Sequence, residues 1–310
     1  MKRLALSAAA LLASAAALAQ EAGPANVVEA PLNVIQEGRH MPVLNAQTFG
    51  DDPYIVPPAP ARSTQFAFTL KGYVFGLRLI RVGYLGYEAG ETYAAYTDLK
   101  TSGLGALLKK LDIWAVTRGR ILPDGRLRPD FHVQQNTDKK NRRVEMNYDD
   151  AARLVDVRIV PPLGSQGVPP ATPKERFEAL DTVSILLHMA RRGRGDADAL
   201  CAGSVPVFDS KQRYDLRLKP VGTARVKFLG DKDETVHCHA YYEPVSGFDP
   251  EDLPDAEEAG TPVDVYFRYV PEVDMHVPVR FTYKISGFTA VIKMTDMLLI
   301  APDGTVVREG

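Results

Sequence analysis

The chain has 310 residues, 45% of them hydrophobic and 25% charged, a globular balance with enough length to bury a core without metals or many disulfides. Its formal net charge is -2. Losing Lys2 and Arg3 with a leader makes it about -4, so there is no basic footprint for nucleic acid, and no nucleic-acid partner is expected.

The leader is read from MKRLALSAAALLASAAALAQ. Lys2 and Arg3 supply the positive start, an apolar run extends from Leu4 to Leu18, and Ala17-Leu18-Ala19 is a small-x-small cleavage site. The run falls short of the about 20 residues a membrane helix needs, and no later segment is long and apolar enough for one. These features predict an exported, periplasmic protein whose signal peptide is residues 1–19 and whose mature form has no transmembrane segment. Residues 20–64, with the stretch VPPAPAR, read as a flexible proline-punctuated arm. Residues 65–300 read as a single β domain and residues 301–310 as a C-terminal tail.

Aromatic and branched residues fill the start of the domain, and glycines interrupt them. Two antiparallel strands joined near 74–76 account for the pattern, with Gly72, Gly76, Gly83 and Gly86 marking bends and bulges. Strands are expected at 91–99, 113–118, 131–135, 142–148 and 152–160, with a short helix or turn at 102–111. Asp124-Gly125 is a turn signature. One long helix is predicted next: Thr172 as N-cap, Pro173 at the first helical position, Glu175 completing a capping box, and an apolar stripe of Phe177, Leu180, Val183, Leu187 and Ala190. Strand signals resume at 214–219, 223–229, 235–242, 263–270, 278–285 and 289–296, around an acidic loop at 249–258. The expected fold is mainly β: a curled antiparallel sheet forming a half-open barrel, with one embedded helix against it.

Chemistry-bearing patterns are few. Cys201 and Cys238 form a pair that, in an exported chain, is expected as a disulfide. In a strand, His237 and His239 point to one face and Cys238 to the other. Two such histidines would need a third ligand for a metal, from His132, His276 or an aspartate, and the sequence does not locate it. No metal or other cofactor is therefore expected. No nucleophile elbow, zinc-protease, phosphate-loop or C-x-x-C motif occurs, and Ser184 lies beside no such signature, so no catalytic residue is assigned.

The segments DTVSILLHMAR and PVFDSKQRYDL, the Cys238 strand ending in Tyr242, and VPVRF follow one another in that order. Together they resemble the bacterial family of exported proteins that carry the domain of unknown function numbered 3108. Asp181 and Ser184 match its helix motif. Phe208, Asp209, Arg213 and Tyr214 match its turn-and-strand motif, and Pro278, Val279 and Arg280 match its late strand. Ser210 departs from the glycine frequent there. The resemblance implies a periplasmic, lipoprotein-carrier-like β fold and no catalytic role. Asp209 reads as a turn-capping acceptor and Arg213 as the partner of a carboxylate such as Asp181 or Asp209. The expected function is non-enzymatic: an envelope-associated protein binding a lipid or other hydrophobic ligand, a cell-wall fragment or an envelope protein, with Leu187 and Tyr241 facing the ligand. The alternatives are a structural interaction protein without a ligand, and a hydrolase using His237 and His239.

Overall fold

In the computed structural model, alternating apolar and polar residues build one antiparallel sheet. The structure describes residues 59–60, 62–103, 105, 111–136, 141–194, 196–285 and 287–309. The expected leader, most of the arm and most of the 102–111 segment lie outside them.

The first half contributes β1 (Thr64–Val74), β2 (Leu77–Ala89), β3 (Thr92–Thr101), β4 (Asp112–Ile121), β5 (Leu127–Asn136), β6 (Arg143–Asp149) and β7 (Leu154–Val160). The second contributes β8 (Ser204–Phe208), β9 (Arg213–Phe228), β10 (Asp231–Ser246), β11 (Val263–Val270), β12 (Met275–Ile285), β13 (Phe288–Ile300) and β14 (Val306–Glu309). Strands β1 to β7 form one meander and β8 to β13 another, and they meet where β1 pairs with β13. Between the meanders lie α1 (Pro173–Phe177), α2 (Ser184–Arg192) and α3 (Ala197–Leu200), and α4 (Ala256–Gly260) follows β10.

This corrects the expected fold in two respects. The hydrogen-bonded path runs from β7 to β8 without closing, so the sheet is open, with two edges, and is neither a β-barrel nor a half-open one. Four separate α-helices, not one embedded helix, occur among the described residues. The long helix expected from Thr172 onward is interrupted. The capping box closes over α1 as expected, but Leu180 leaves the helix to exchange backbone hydrogen bonds with β8, from its N–H to Pro206 O and from Phe208 N–H to its own carbonyl. The two strands expected at 214–219 and 223–229 are the single strand β9. A register shift where Pro220 and Gly222 face Cys238 and His237 absorbs the proline.

The bend positions follow the glycines at two places. Gly76 turns the first hairpin at φ +78°, and the β1–β2 register shifts at Gly72. The main core draws on both meanders: Phe66, Phe68 and Tyr84 stack on one another, and Leu187 and Met189 of α2 join Val207, Phe267 and Met275. Helix α2 lies against β12 and β5. Its basic C-terminal end, where the helix dipole is negative, is tied to β2 by Arg191 and Arg194, whose guanidinium nitrogens lie 2.5 and 2.9 Å from Glu88.

Candidate functional site

The start of α2 is organised by one carboxylate. Asp181 Oδ1 accepts the backbone N–H groups of Val183 (2.8 Å) and Ser184 (3.0 Å), two donors that a helix start leaves unpaired. Asp181 Oδ2 accepts the hydroxyls of Ser184 (2.5 Å) and Thr117 (2.9 Å). Because the Ser184 proton is given to Asp181, the Tyr93 hydroxyl donates to Ser184 Oγ, at 2.7 Å. His132 Nδ1 stands 3.1 Å from Asp181 Oδ1. Burial pushes the Asp181 carboxyl up; the His132 charge and the surrounding donors outweigh it and hold the group below its ordinary range.

This grouping has the side chains of a hydrolytic triad but not its order. The carboxylate sits in the middle, and the histidine does not stand between serine and aspartate to take a proton. All three residues are buried. The arrangement caps a helix and ties it to β4 and β5.

The other motif residues also have structural surroundings. Asp209 Oδ1 accepts the N–H groups of Lys211 (3.0 Å) and Gln212 (2.6 Å), closing the turn between β8 and β9. Ser210 lies inside that turn at φ +92°, a conformation that favours glycine, and this accounts for the glycine frequent in the resembling family. Phe208 is buried against Ala171 and Phe177. Arg213 has a carboxylate partner, but it is Asp215, 2.7 Å from its Nη1, rather than Asp181 or Asp209. The Tyr214 ring packs on Tyr242 at 4.5 Å between centroids. Pro278, Val279 and Arg280 lie where the β11–β12 register shifts, so the proline, which has no N–H, meets a bulge and Val279 turns into the core. Arg280 donates to Thr282.

Leu187 and Tyr241 are not brought together. Leu187 is in the main core. Tyr241 is on the outer side of β10, where Arg217 covers its ring at 4.4 Å. The cavity beside α2, lined by Ile185, Leu186, Met189 and Tyr214, holds only about 60 Å³. Cys201 and Cys238 form a disulfide with a Cα–Cα distance of 5.4 Å. On the face of β10 opposite that disulfide, His237 and His239 both meet Asp264 of β11. His132 and His276 are elsewhere, His132 at Asp181 and His276 against the Tyr269 ring.

A larger cleft opens where the turn before β5 faces α1 and β8. It encloses about 680 Å³, within the range of about 300–1,000 Å³ typical of small-molecule sites. Leu122, Leu127 and Val205 give it an apolar wall, and Arg126, Arg153 and His188 are among its polar lining. The arginines have partners, Asp124 at 2.7 Å and Glu178 at 3.5 Å. His188 Nδ1 is buried with no hydrogen-bond partner among the described residues. Burial, reinforced by Arg192, Arg191 and Arg126, pushes the His188 pKa down to about 4, so the ring is neutral at neutral pH. No local signal in the sequence marks this cleft, because it is assembled from five separated segments.

Residues 73–291 match the family model described as "Protein of unknown function (DUF3108)". The chain belongs to this family. No curated protein matches it. Among solved structures, it is similar to a beta-barrel-like protein of the domain of unknown function DUF1849 from Brucella abortus, at 13% identity and TM-score 0.40, covering 76% of this chain and 96% of that one. It is also similar to a putative lipoprotein from Parabacteroides distasonis, at 9% identity and TM-score 0.27, covering 75% and 94%. Among the described residues of this family member, no helix is long and apolar enough to cross a membrane.

Proposed function

We propose that this DUF3108 protein is an exported, non-enzymatic component of the cell envelope, working in the periplasm, that binds an anionic amphiphile in the cleft beside β8. The observation that carries the reading is the contrast between two spaces. The interior beside α2 holds only about 60 Å³, too little for an acyl chain or a sugar, whereas the cleft holds about 680 Å³. The apolar wall favours a molecule with an apolar body, and Arg126, Arg128 and Arg153, although paired with Asp124, Asp150 and Glu178, offer charged donors to an acidic group. The His188 Nδ1 adds a buried polar atom that no partner among the described residues satisfies. Export is supported by the leader pattern.

A membrane lipid has this chemistry, a cell-wall fragment shares only its acidic group, and one experiment separates them. Protein recovered from its own periplasm is weighed intact by native mass spectrometry, beside a Ser204→Trp variant that fills the cleft from the exposed start of β8. The expected result is a ligand-bearing species in the unmodified protein that falls at least several-fold in the variant. A ligand that partitions into organic solvent is the lipid; one that stays in water and yields amino sugars is the cell-wall fragment. A uniformly ligand-free spectrum, or equal occupancy in the variant, overturns the reading and leaves a structural interaction protein in its place.

A further inference from the structure

The outer face of β10 carries a second arrangement, separate from the cleft. His237 and His239 are two residues apart on one strand, so both rings project from the same face, while Cys238 between them turns inward to its disulfide with Cys201. On the neighbouring strand, Asp264 is paired with His239 and Tyr266 with His237. Asp264 Oδ1 therefore lies 2.8 Å from His237 Nε2 and 3.2 Å from His239 Nε2. One atom from each of the three side chains lies within 4.8 Å of the others.

We propose that His237, His239 and Asp264 form a binding site for a divalent transition metal of the zinc class, with solvent completing the coordination. Zinc bonds of about 2.0–2.2 Å to nitrogen and oxygen set neighbouring ligand atoms of a tetrahedron roughly 3.3 Å apart, close to the observed separations. Both histidines present the same ring nitrogen to the same carboxylate oxygen, His237 through a 2.8 Å hydrogen bond and His239 at 3.2 Å, and a cation among the three atoms exchanges that hydrogen bond for coordination bonds. The donor set, two imidazoles and one carboxylate, is that of open sites which keep positions for water.

The rings are held in place by their neighbours. His237 stacks on Tyr266, with centroids 4.4 Å apart and planes 13° from parallel. His239 meets His237 edge-on at 5.4 Å and Tyr241 edge-on at 6.2 Å. The disulfide fixes the strand segment that bears both histidines. Side-chain exposures of 15%, 33% and 21% for His237, His239 and Asp264 leave the cluster open on one side. Lys219, opposite His239 on β9, extends over the Tyr241 ring, with its Nζ 5.4 Å from the centroid.

The test uses untagged, disulfide-intact protein, stripped with a chelator and titrated with Zn²⁺ by calorimetry and with Co²⁺ by visible absorption. Binding of one ion per chain is expected, with a Co²⁺ spectrum of low coordination number and a rise in Tm on metal addition. His239→Ala weakens Zn²⁺ affinity by about 100-fold, and the near-isosteric Asp264→Asn by at least about 10-fold. If His239→Ala does not fold, Asp264→Asn, which leaves both rings and their packing in place, carries the test. Absence of one-to-one binding in the unmodified protein, or equal affinity in a folded Asp264→Asn, overturns the proposal. Neither result bears on the cleft, which shares no residue with this site.

Discussion

Asp181 and Asp209 are both buried carboxylates, each accepts two backbone N–H groups in a tight turn, and the protein moves their pKa values in opposite directions. For Asp181, burial favours the acid, but the His132 charge, the Ser184 hydroxyl and the Ser184 N–H outweigh it and keep the group ionised. For Asp209, burial dominates and raises the pKa to about 6. Its backbone donors and the Lys211 charge offset only part of this, and the Lys211 ammonium itself is turned to Asp249, 2.5 Å away. The turn geometry is alike; what differs is the set of side-chain partners. Two N–H groups are too few to compensate for burying a carboxylate, and adding hydroxyls and an imidazole reverses the balance.

Removing the better-served carboxylate has the larger effect. Asp181→Ala leaves two N–H groups at the start of α2 unpaired, takes the acceptor from Ser184 and Thr117, and removes the carboxylate beside His132. Loss of one partner from such a buried group destabilises by about 3–5 kcal/mol. Urea unfolding should show the midpoint falling by that equivalent, and a midpoint within the error of the unmodified protein would refute the network's role.

The second carboxylate makes stability depend on pH. Asp209 has a pKa of about 6 in the folded state against about 3.9 unfolded, so between those values the folded state binds the extra proton. Stability from this group is therefore highest below about pH 4 and falls as pH rises to about 6, by on the order of 3 kcal/mol. Asp181 has the other sign: its contribution is present above the unfolded pKa of about 3.9 and is lost as pH falls through its lower folded value. Asp209→Asn keeps a carbonyl acceptor for the turn and cannot ionise. Relative to the unmodified protein, the variant should gain stability between pH 4 and 7 by on the order of 3 kcal/mol. A difference that stays constant over that interval would exclude Asp209 as the titrating group.

Local signals were legible in the sequence and closures in space were not. The capping box of Thr172, Pro173 and Glu175 and the first hairpin at Gly76 depend on neighbouring residues, and they stand where expected. The rest of the predicted long helix does not, because Leu180 bonds to β8, a strand no sequence reading marked. Periodicity also could not fix the ends of the sheet. A meander satisfies its hairpins whether or not its outer strands meet, so the half-open barrel was an expectation about a contact that the strand pattern does not encode. The motif serine and aspartate were identified, but Thr117 of β4 and His132 of β5, which complete their network, are 64 and 49 residues before Asp181 and carried no signal of their own. Likewise, His237 and His239 were visible as a pair, while Asp264, 27 residues after His237, becomes their neighbour only through the β10–β11 register.

The smallest test moves Asp181 one step toward the condition of Asp209. Thr117→Val keeps the side-chain shape and removes one hydroxyl, which lies 2.9 Å from Asp181 Oδ2 and 3.2 Å from the Phe131 carbonyl. Ser184 still serves that carboxylate oxygen, so the loss at neutral pH is that of a single hydrogen bond, about 1 kcal/mol. A hydroxyl that donates to the carboxylate favours its ionised form, so losing it raises the folded pKa of Asp181 toward the unfolded value. The variant should therefore lose its Asp181-dependent stability at higher pH than the unmodified protein, and the difference between the two should shrink at pH values where both carboxyls are protonated. Urea midpoints measured from pH 7 down to pH 2 read both effects. A loss of the same size at every pH would mean that the Thr117 proton goes to the Phe131 carbonyl, leaving Ser184 and His132 to hold Asp181 ionised without it.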